Sequence, residues 1–134
     1  SGPWMLKSLE VQTHTDQPAK AAVTLVDEDG REISDAAHGD GPVAAAFQAL
    51  ERVTGVELVL RSFDLHSASI GEDAQGEVTV TVEHGGRSFR GHGASVDIVE
   101  AGTRACLEVM NRILRRERRG ADTAQASGTT RATI

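Results

Sequence analysis

The chain reads as one pattern used twice: three segments of strand character separated by turn signals, then a helix. In the first half, residues 6–14 alternate, with Leu9, Val11 and Thr13 on one side and Lys7, Ser8, Glu10 and Gln12 largely on the other. That period of two marks a half-buried strand. Residues 21–26 form an apolar run closed by Asp27-Glu28-Asp29-Gly30, whose Asp-Gly supplies hairpin chemistry for a return strand over residues 31–37. A helix is then predicted from Pro42, a residue suited to the first helical position, with Val43, Phe47, Leu50 and Thr54 on one face and Gly55 as its stop.

The cycle starts again at residue 56. Residues 56–67 are a long strand candidate, residues 77–83 alternate around Val78, Val80 and Val82, and His84-Gly85-Gly86 turns into a short strand over 87–91. A second helix is expected after Gly91-His92-Gly93, with Val99, Cys106, Leu107, Met110, Ile113 and Leu114 on its apolar side. The order is β-β-β-α twice, an α+β fold. Local matches point to duplication. Asp29-Gly30-Arg31 parallels Gly85-Gly86-Arg87 at an offset of 56, and Gly39-Asp40-Gly41 parallels Gly91-His92-Gly93 at 52. The unequal offsets place four extra residues in the first half's third strand.

With 134 residues there is room for one domain. Residues 120–134 are rich in Ala, Ser, Thr and Gly and cannot offset the entropy of ordering. A disordered tail is therefore expected there, and the domain is assigned to residues 1–119, with repeat one over about 4–55 and repeat two over about 56–119. No apolar run approaches the roughly 20 residues of a membrane-spanning helix. Residues 1–111 carry eight Lys/Arg against eighteen Asp/Glu, an acidic balance that argues against nucleic acid as a partner. Residues 112–119 hold five arginines against Glu117 alone. They complement the C-terminal end of a helix, with a basic docking patch as the alternative. The single cysteine, Cys106, allows no internal disulfide, so a reducing, cytoplasmic compartment is expected. The start, Ser1-Gly2-Pro3-Trp4-Met5, lacks an initiator methionine and the regions of a signal peptide, and reads as a cut or processed end.

Catalytic chemistry is hard to find. His14, His38, His66, His84 and His92 form no metal-ligand pair, Cys106 falls on an apolar helix face, and there is no GxSxG, Walker-type loop or complete GxGxxG. Neither a metal nor a cofactor is expected in this domain. The doubled GxG is the better signal. Glycines permit close backbone approach, and a helix start presents unpaired N–H groups that can hold a carboxylate or phosphate. The alternative is a tight strand-to-helix turn with Asp40 as an N-cap-like residue.

Four ordered motifs carry a resemblance. Trp4-x-Leu6-x-x-Leu9-x-Val11, then Gly39-Asp40-Gly41-Pro42-Val43-x-Ala45-Ala46-Phe47, then Asp73-Ala74-Gln75-Gly76-Glu77-Val78, then Gly91-x-Gly93-x-Ser95-x-Asp97-Ile98-Val99-Glu100-Ala101, ending at Asn111-Arg112, resemble the C-terminal regulatory domain of 2-isopropylmalate synthases, shared with citramalate synthases. The resemblance covers roughly residues 4–116. It implies two βββα units related by a pseudo-twofold, a homodimer formed through this domain, and feedback inhibition by leucine or isoleucine. It places the acyl transfer, and a divalent metal, in a TIM barrel upstream of this chain.

The resemblance also implies an effector site. Gly39, Asp40, Gly41, Pro42, Val43 and Ala44 would form its first part, completed by Leu60, Phe63 and Ser67, by Ala74 and Gly76, and by Ile98. Phe63 stands where family members often have tyrosine, and Ser67 where alanine is frequent. The residue types suit an amino-acid ligand: helix-start N–H groups for its carboxylate, Val43, Leu60 and Phe63 around a branched side chain, and small Ala74 and Gly76 leaving room. A purely structural dimerisation domain is the alternative in another class.

Overall fold

A computed structural model describes the backbone of residues 3–67 and 75–132, with side chains except that of Ser67 and those beyond residue 121. Two three-stranded antiparallel sheets are each followed by a helix. The first unit comprises β1 (Met5–Gln12), β2 (Ala19–Val26), β3 (Glu32–Gly39) and α1 (Pro42–Thr54). The second comprises β4 (Val59–Ser67), β5 (Gly76–His84), β6 (Arg87–Ser95) and α2 (Ile98–Ala132). Each sheet keeps sequence order, with β2 and β5 central, so the fold is α+β with the βββα unit used twice.

Local chemistry explains the elements. In the β2–β3 turn, Asp27 Oδ1 accepts N–H bonds from Asp29 and Arg31, each at 2.9 Å, and Gly30 takes φ +82°. Its counterpart, Gly85-Gly86, takes φ +57° and +78°. Gly55 ends α1 in the left-handed region at φ +76°, its N–H bonded to the Glu51 carbonyl at 2.9 Å, the expected helix stop. Both sheets carry an irregularity in the same place on the first strand, between Leu6 and Ser8 and between Leu60 and Ser62.

The core lies between the sheets and the helices. Val23 and Leu25 of β2, Val78, Val80 and Val82 of β5, Leu50 of α1, and Cys106, Val109, Met110 and Ile113 of α2 are buried in one cluster. Thr54 lies 3.5 Å from the Met110 sulfur, and these two residues are 56 positions apart, the offset of the repeat. A residue that touches its own counterpart lies next to the axis relating the units. Val99, in the first turn of α2, packs on the first unit's cluster of Ala19, Ala21, Ala45 and Ala46. The two helices therefore run in the same sense, with their starts close together.

Two sequence expectations change. The second GxG does not precede a helix: Gly91-His92-Gly93 lies within β6, which runs on to Ser95. A Cβ on Gly91 would sit 2.2 Å from the Ala105 carbonyl oxygen, and one on Gly93 would sit 2.1 Å from that of Ala101. The glycines serve close helix–strand packing, a use that sequence does not separate from a turn. With this correction the repeat offset is 56 through the third strands and the helices, so Gly39, Gly41 and Pro42 correspond to Ser95, Asp97 and Ile98. No extra residues remain to be placed in β3. The second change is at the end of the chain. The backbone of α2 continues to Ala132, where a tail was expected from residue 120, although Ile113 is the last buried residue among those described.

Because Gly93 faces helix backbone rather than a movable side chain, Gly93→Ala is expected to cost ~1–3 kcal/mol by overpacking. Gly120→Ala, in an open helical position, should instead be neutral or stabilising by up to ~1 kcal/mol. Urea unfolding of the two variants checks both.

Candidate functional site

The residues singled out from sequence fall around the two helix starts. Gly39 ends β3 opposite Ala19, and a Cβ there would lie 2.5 Å from the Ala45 nitrogen. Only glycine lets β3 meet α1 this closely. Asp40 is exposed and does not cap the helix. The N-cap is Gly41, at φ −148° and ψ 176°, and no side chain accepts from the first turn of α1. Pro42 follows as the first helical residue, with Val43 and Ala44 half-buried behind it. Pro42 has no N–H, so the unpaired donors of this turn are those of Val43 and Ala44.

The start of α2 is built differently. Asp97 accepts N–H bonds from Val99 at 2.8 Å and Glu100 at 3.2 Å, a conventional side-chain cap. Ser95 Oγ accepts from the Asp97 N–H at 3.2 Å and donates to Glu100 Oε2 at 2.7 Å. One helix start is therefore closed by its own carboxylate and the other is bare.

The apolar part comes from β4. Leu60, Phe63 and Leu65 lie opposite Val82, Val80 and Val78, and cross-strand partners share a sheet face, so all three point to the helix side. Phe63 is half-buried against Gly102 of α2, where a Cβ would be 2.5 Å from its ring. Leu60 and Leu65 remain 40% and 52% exposed, and Ile98, at the start of α2, is 44% exposed. The corresponding β1 residues Leu6 and Val11 are half-buried and packed against the core clusters. A Cβ on Gly76 would be 3.3 Å from Leu65 Cδ1 and 3.9 Å from Ile98 Cγ1, so Gly76, Leu65 and Ile98 meet at one point.

The structure thus joins Gly76 with Ile98 and sets that pair near the start of α1 through Val99. Ser67 pairs with Gly76 through the backbone, but its side chain and the whole of Ala74 lie outside the described residues. Leu65 was missed from sequence, although its alternation with Phe63 along one strand face was the available signal. Asp97 was likewise missed, because the second helix start was placed at the wrong glycine.

These residues form an open apolar surface, and clefts among the described residues lie elsewhere. One of about 320 Å³ runs between Trp4, Leu6 and the α2 residues Arg104, Leu107 and Asn111. Among the described residues, no group of three His, Cys, Asp or Glu side chains is placed to hold a metal ion.

The model of the LeuA allosteric (dimerisation) domain matches residues 1–114. The chain belongs to that family. It is similar to the 2-isopropylmalate synthase of Xanthomonas campestris pv. campestris (strain B100), 48% identical over 102 residues, which are 76% of this chain and 20% of the relative. It is also similar to the 2-isopropylmalate synthase of Stenotrophomonas maltophilia (strain R551-3), 48% identical over 109 residues, or 81% of this chain and 21% of the relative. The chain spans about a fifth of the length of the curated relatives it matches.

Within this LeuA-type domain, Cys106 is not a usable nucleophile. Burial, with the nearby charge of Glu51 as a lesser cause, pushes its thiol far above the ordinary range, so thiolate is scarce at neutral pH. A disulfide-exchange reagent should label Cys106 only as the protein unfolds. The capping difference has its own measurable consequence. Asp97→Ala should lower stability by ~1 kcal/mol, while Asp40→Ala should stay within ~0.5 kcal/mol; thermal or urea unfolding separates them.

Proposed function

We propose that this chain is the feedback-regulatory domain of a 2-isopropylmalate synthase: it binds leucine and pairs with a second copy of itself. The observation that carries the reading is the bare start of α1, near an exposed apolar strip. Unpaired N–H groups at a helix start favour an anion, and the dipole adds to their pull. The leucine carboxylate takes the N–H groups of Val43 and Ala44. Its ammonium needs acceptors, which the exposed Asp40 carboxylate and carbonyls near the end of β3 supply. Leu60, Phe63, Gly76 and Ile98, with Val43, surround the branched side chain. A contiguous exposed apolar surface of this kind marks an interface, and a second copy covering it would complete the walls of the site.

In this reading the acyl transfer and its divalent metal belong to the remainder of the parent enzyme, a cytoplasmic protein. Leucine acts on that remainder by differential affinity for two arrangements of the dimer.

Titration calorimetry of the 134-residue chain with leucine should show saturable heat, and sedimentation should show a dimer. A Cβ on Gly41 has nothing within 4 Å, so Gly41→Val keeps the fold and intrudes only on the ligand. It should weaken leucine binding by about tenfold or more, the equivalent of ~1.4 kcal/mol. Tighter binding of isoleucine than leucine would move the chain to the citramalate synthases. A dimer that binds neither would leave a structural dimerisation role.

A further inference from the structure

The two units offer two equivalent helix starts, and the structure fills only one of them. At the offset of 56 shared by the third strands and the helices, the three small residues around the α1 start, Gly39, Gly41 and Ala44, correspond to three polar ones around the α2 start, Ser95, Asp97 and Glu100. The polar three form one connected group. Ser95, only 6% exposed, donates to Glu100 and accepts from the Asp97 N–H, while Asp97 accepts from Val99 and Glu100. Val99 and Glu100 are the counterparts of Val43 and Ala44, the donors assigned above to the ligand carboxylate.

We infer that the Asp97 carboxylate is an internal substitute for the effector's carboxylate, closing the second of two equivalent amino-acid positions and limiting the domain to one effector per chain. The inference rests on the effector reading proposed above. Charge and geometry argue for it together. A carboxylate already bonded to the Val99 and Glu100 N–H groups leaves neither of them for a ligand. Glu100, ion-paired to Arg104 at 3.4 Å, sets a second carboxylate beside the same turn. The apolar surroundings are not what excludes a ligand, because Val96 and Ile98 flank this start at 74% and 44% exposure. The exclusion lies in the polar group itself. The first unit has the reverse arrangement: an N-cap without a side chain, and an apolar residue in place of Glu100.

The experiment follows the backbone amides of Val43, Ala44, Val99 and Glu100 by NMR while leucine is added to the full chain, with stoichiometry from calorimetry. In the wild type, leucine should shift Val43 and Ala44, leave Val99 and Glu100 in place, and saturate at one per chain. In Asp97→Gly/Glu100→Ala, the Val99 and Glu100 amides should become responsive to leucine. In Gly41→Asp, which builds into α1 the cap that α2 already has, leucine binding should fall at least tenfold with no loss of melting temperature. Saturation at two per chain in the wild type, Val99 and Glu100 amides that stay inert in the double variant, or a Gly41→Asp chain that binds as tightly as the wild type would each overturn the inference. Absence of any leucine response in the wild type would instead remove the effector reading, and this inference with it.

Discussion

Helix α2 lies so close over β6 that the carbonyl oxygens of Ala101 and Ala105 occupy the space where side chains at positions 93 and 91 would begin. The same device sets α1 on β3, where Gly39 faces the Ala45 nitrogen. Much else follows from these backbone-to-backbone contacts. They fix the depth of each helix over its sheet, and with it the layer in which Leu50, Val80, Cys106 and Met110 interdigitate. They also fix where each helix begins, because a strand pressed onto a helix must turn into it within a residue or two: Ser95 to Ile98 in one unit, Gly39 to Pro42 in the other. Close packing thus delivers two helix starts to one end of the molecule.

The units are equivalent in backbone but not in what covers their first strands. Trp4 leads into β1 and is clipped to α2 by Asn111, which accepts from the Trp4 N–H at 2.7 Å and donates to its carbonyl at 2.9 Å. The indole is buried with its Nε1 lacking a partner, a penalty of ~1–3 kcal/mol. Burying an aromatic side chain of ~150–250 Å² at ~25 cal/mol per Å² contributes roughly 4–6 kcal/mol, so the apolar term wins and the tryptophan stays in. This clip draws β1 across to the second unit's helix, and its Leu6 and Leu9 pack into the core. On β4, Val59, Leu60 and Leu65 keep 40–52% of their surface exposed. One strand closes the domain internally; the other leaves apolar surface for something outside the chain.

The repeated βββα order was legible because strand alternation and the Asp-Gly and Gly-Gly turns are local signals. Val78, Val80 and Val82 declare their buried face by period alone, and Gly55 stops α1 where a left-handed residue is needed. The start of α2 was not legible. Gly91 and Gly93 are glycines for a tertiary reason, the approach of a helix that sequence cannot locate in advance, so they imitate a turn. The same misplacement hid Asp97, whose role as a cap depends on knowing where the helix begins. The start of α1 at Pro42 was legible through its proline, while Leu65 needed the pairing of β4 with β5 to show which face it occupies.

On the effector reading proposed above, duplicating a unit that binds at a helix start creates a problem as well as a scaffold, because a faithful copy would carry two equal sites near one axis. The halves differ widely in sequence, and one set of differences falls where that matters. Three helix pairs are kept, Ala45 with Ala101, Ala49 with Ala105, and Val53 with Val109, while the buried pairs Phe47/Thr103 and Leu50/Cys106 differ in size. Around the starts the pairs diverge in charge and in hydrogen-bonding capacity. Leaving α1 uncapped forfeits roughly 1 kcal/mol of helix stability relative to a good cap, a cost the α2 half does not bear. That deficit is recovered whenever an external carboxylate occupies the turn, so the bare cap couples folding stability to ligand occupancy. A capped helix start is a finished structural element, whereas an uncapped one beside exposed leucines is unfinished in a way that a branched amino acid can complete.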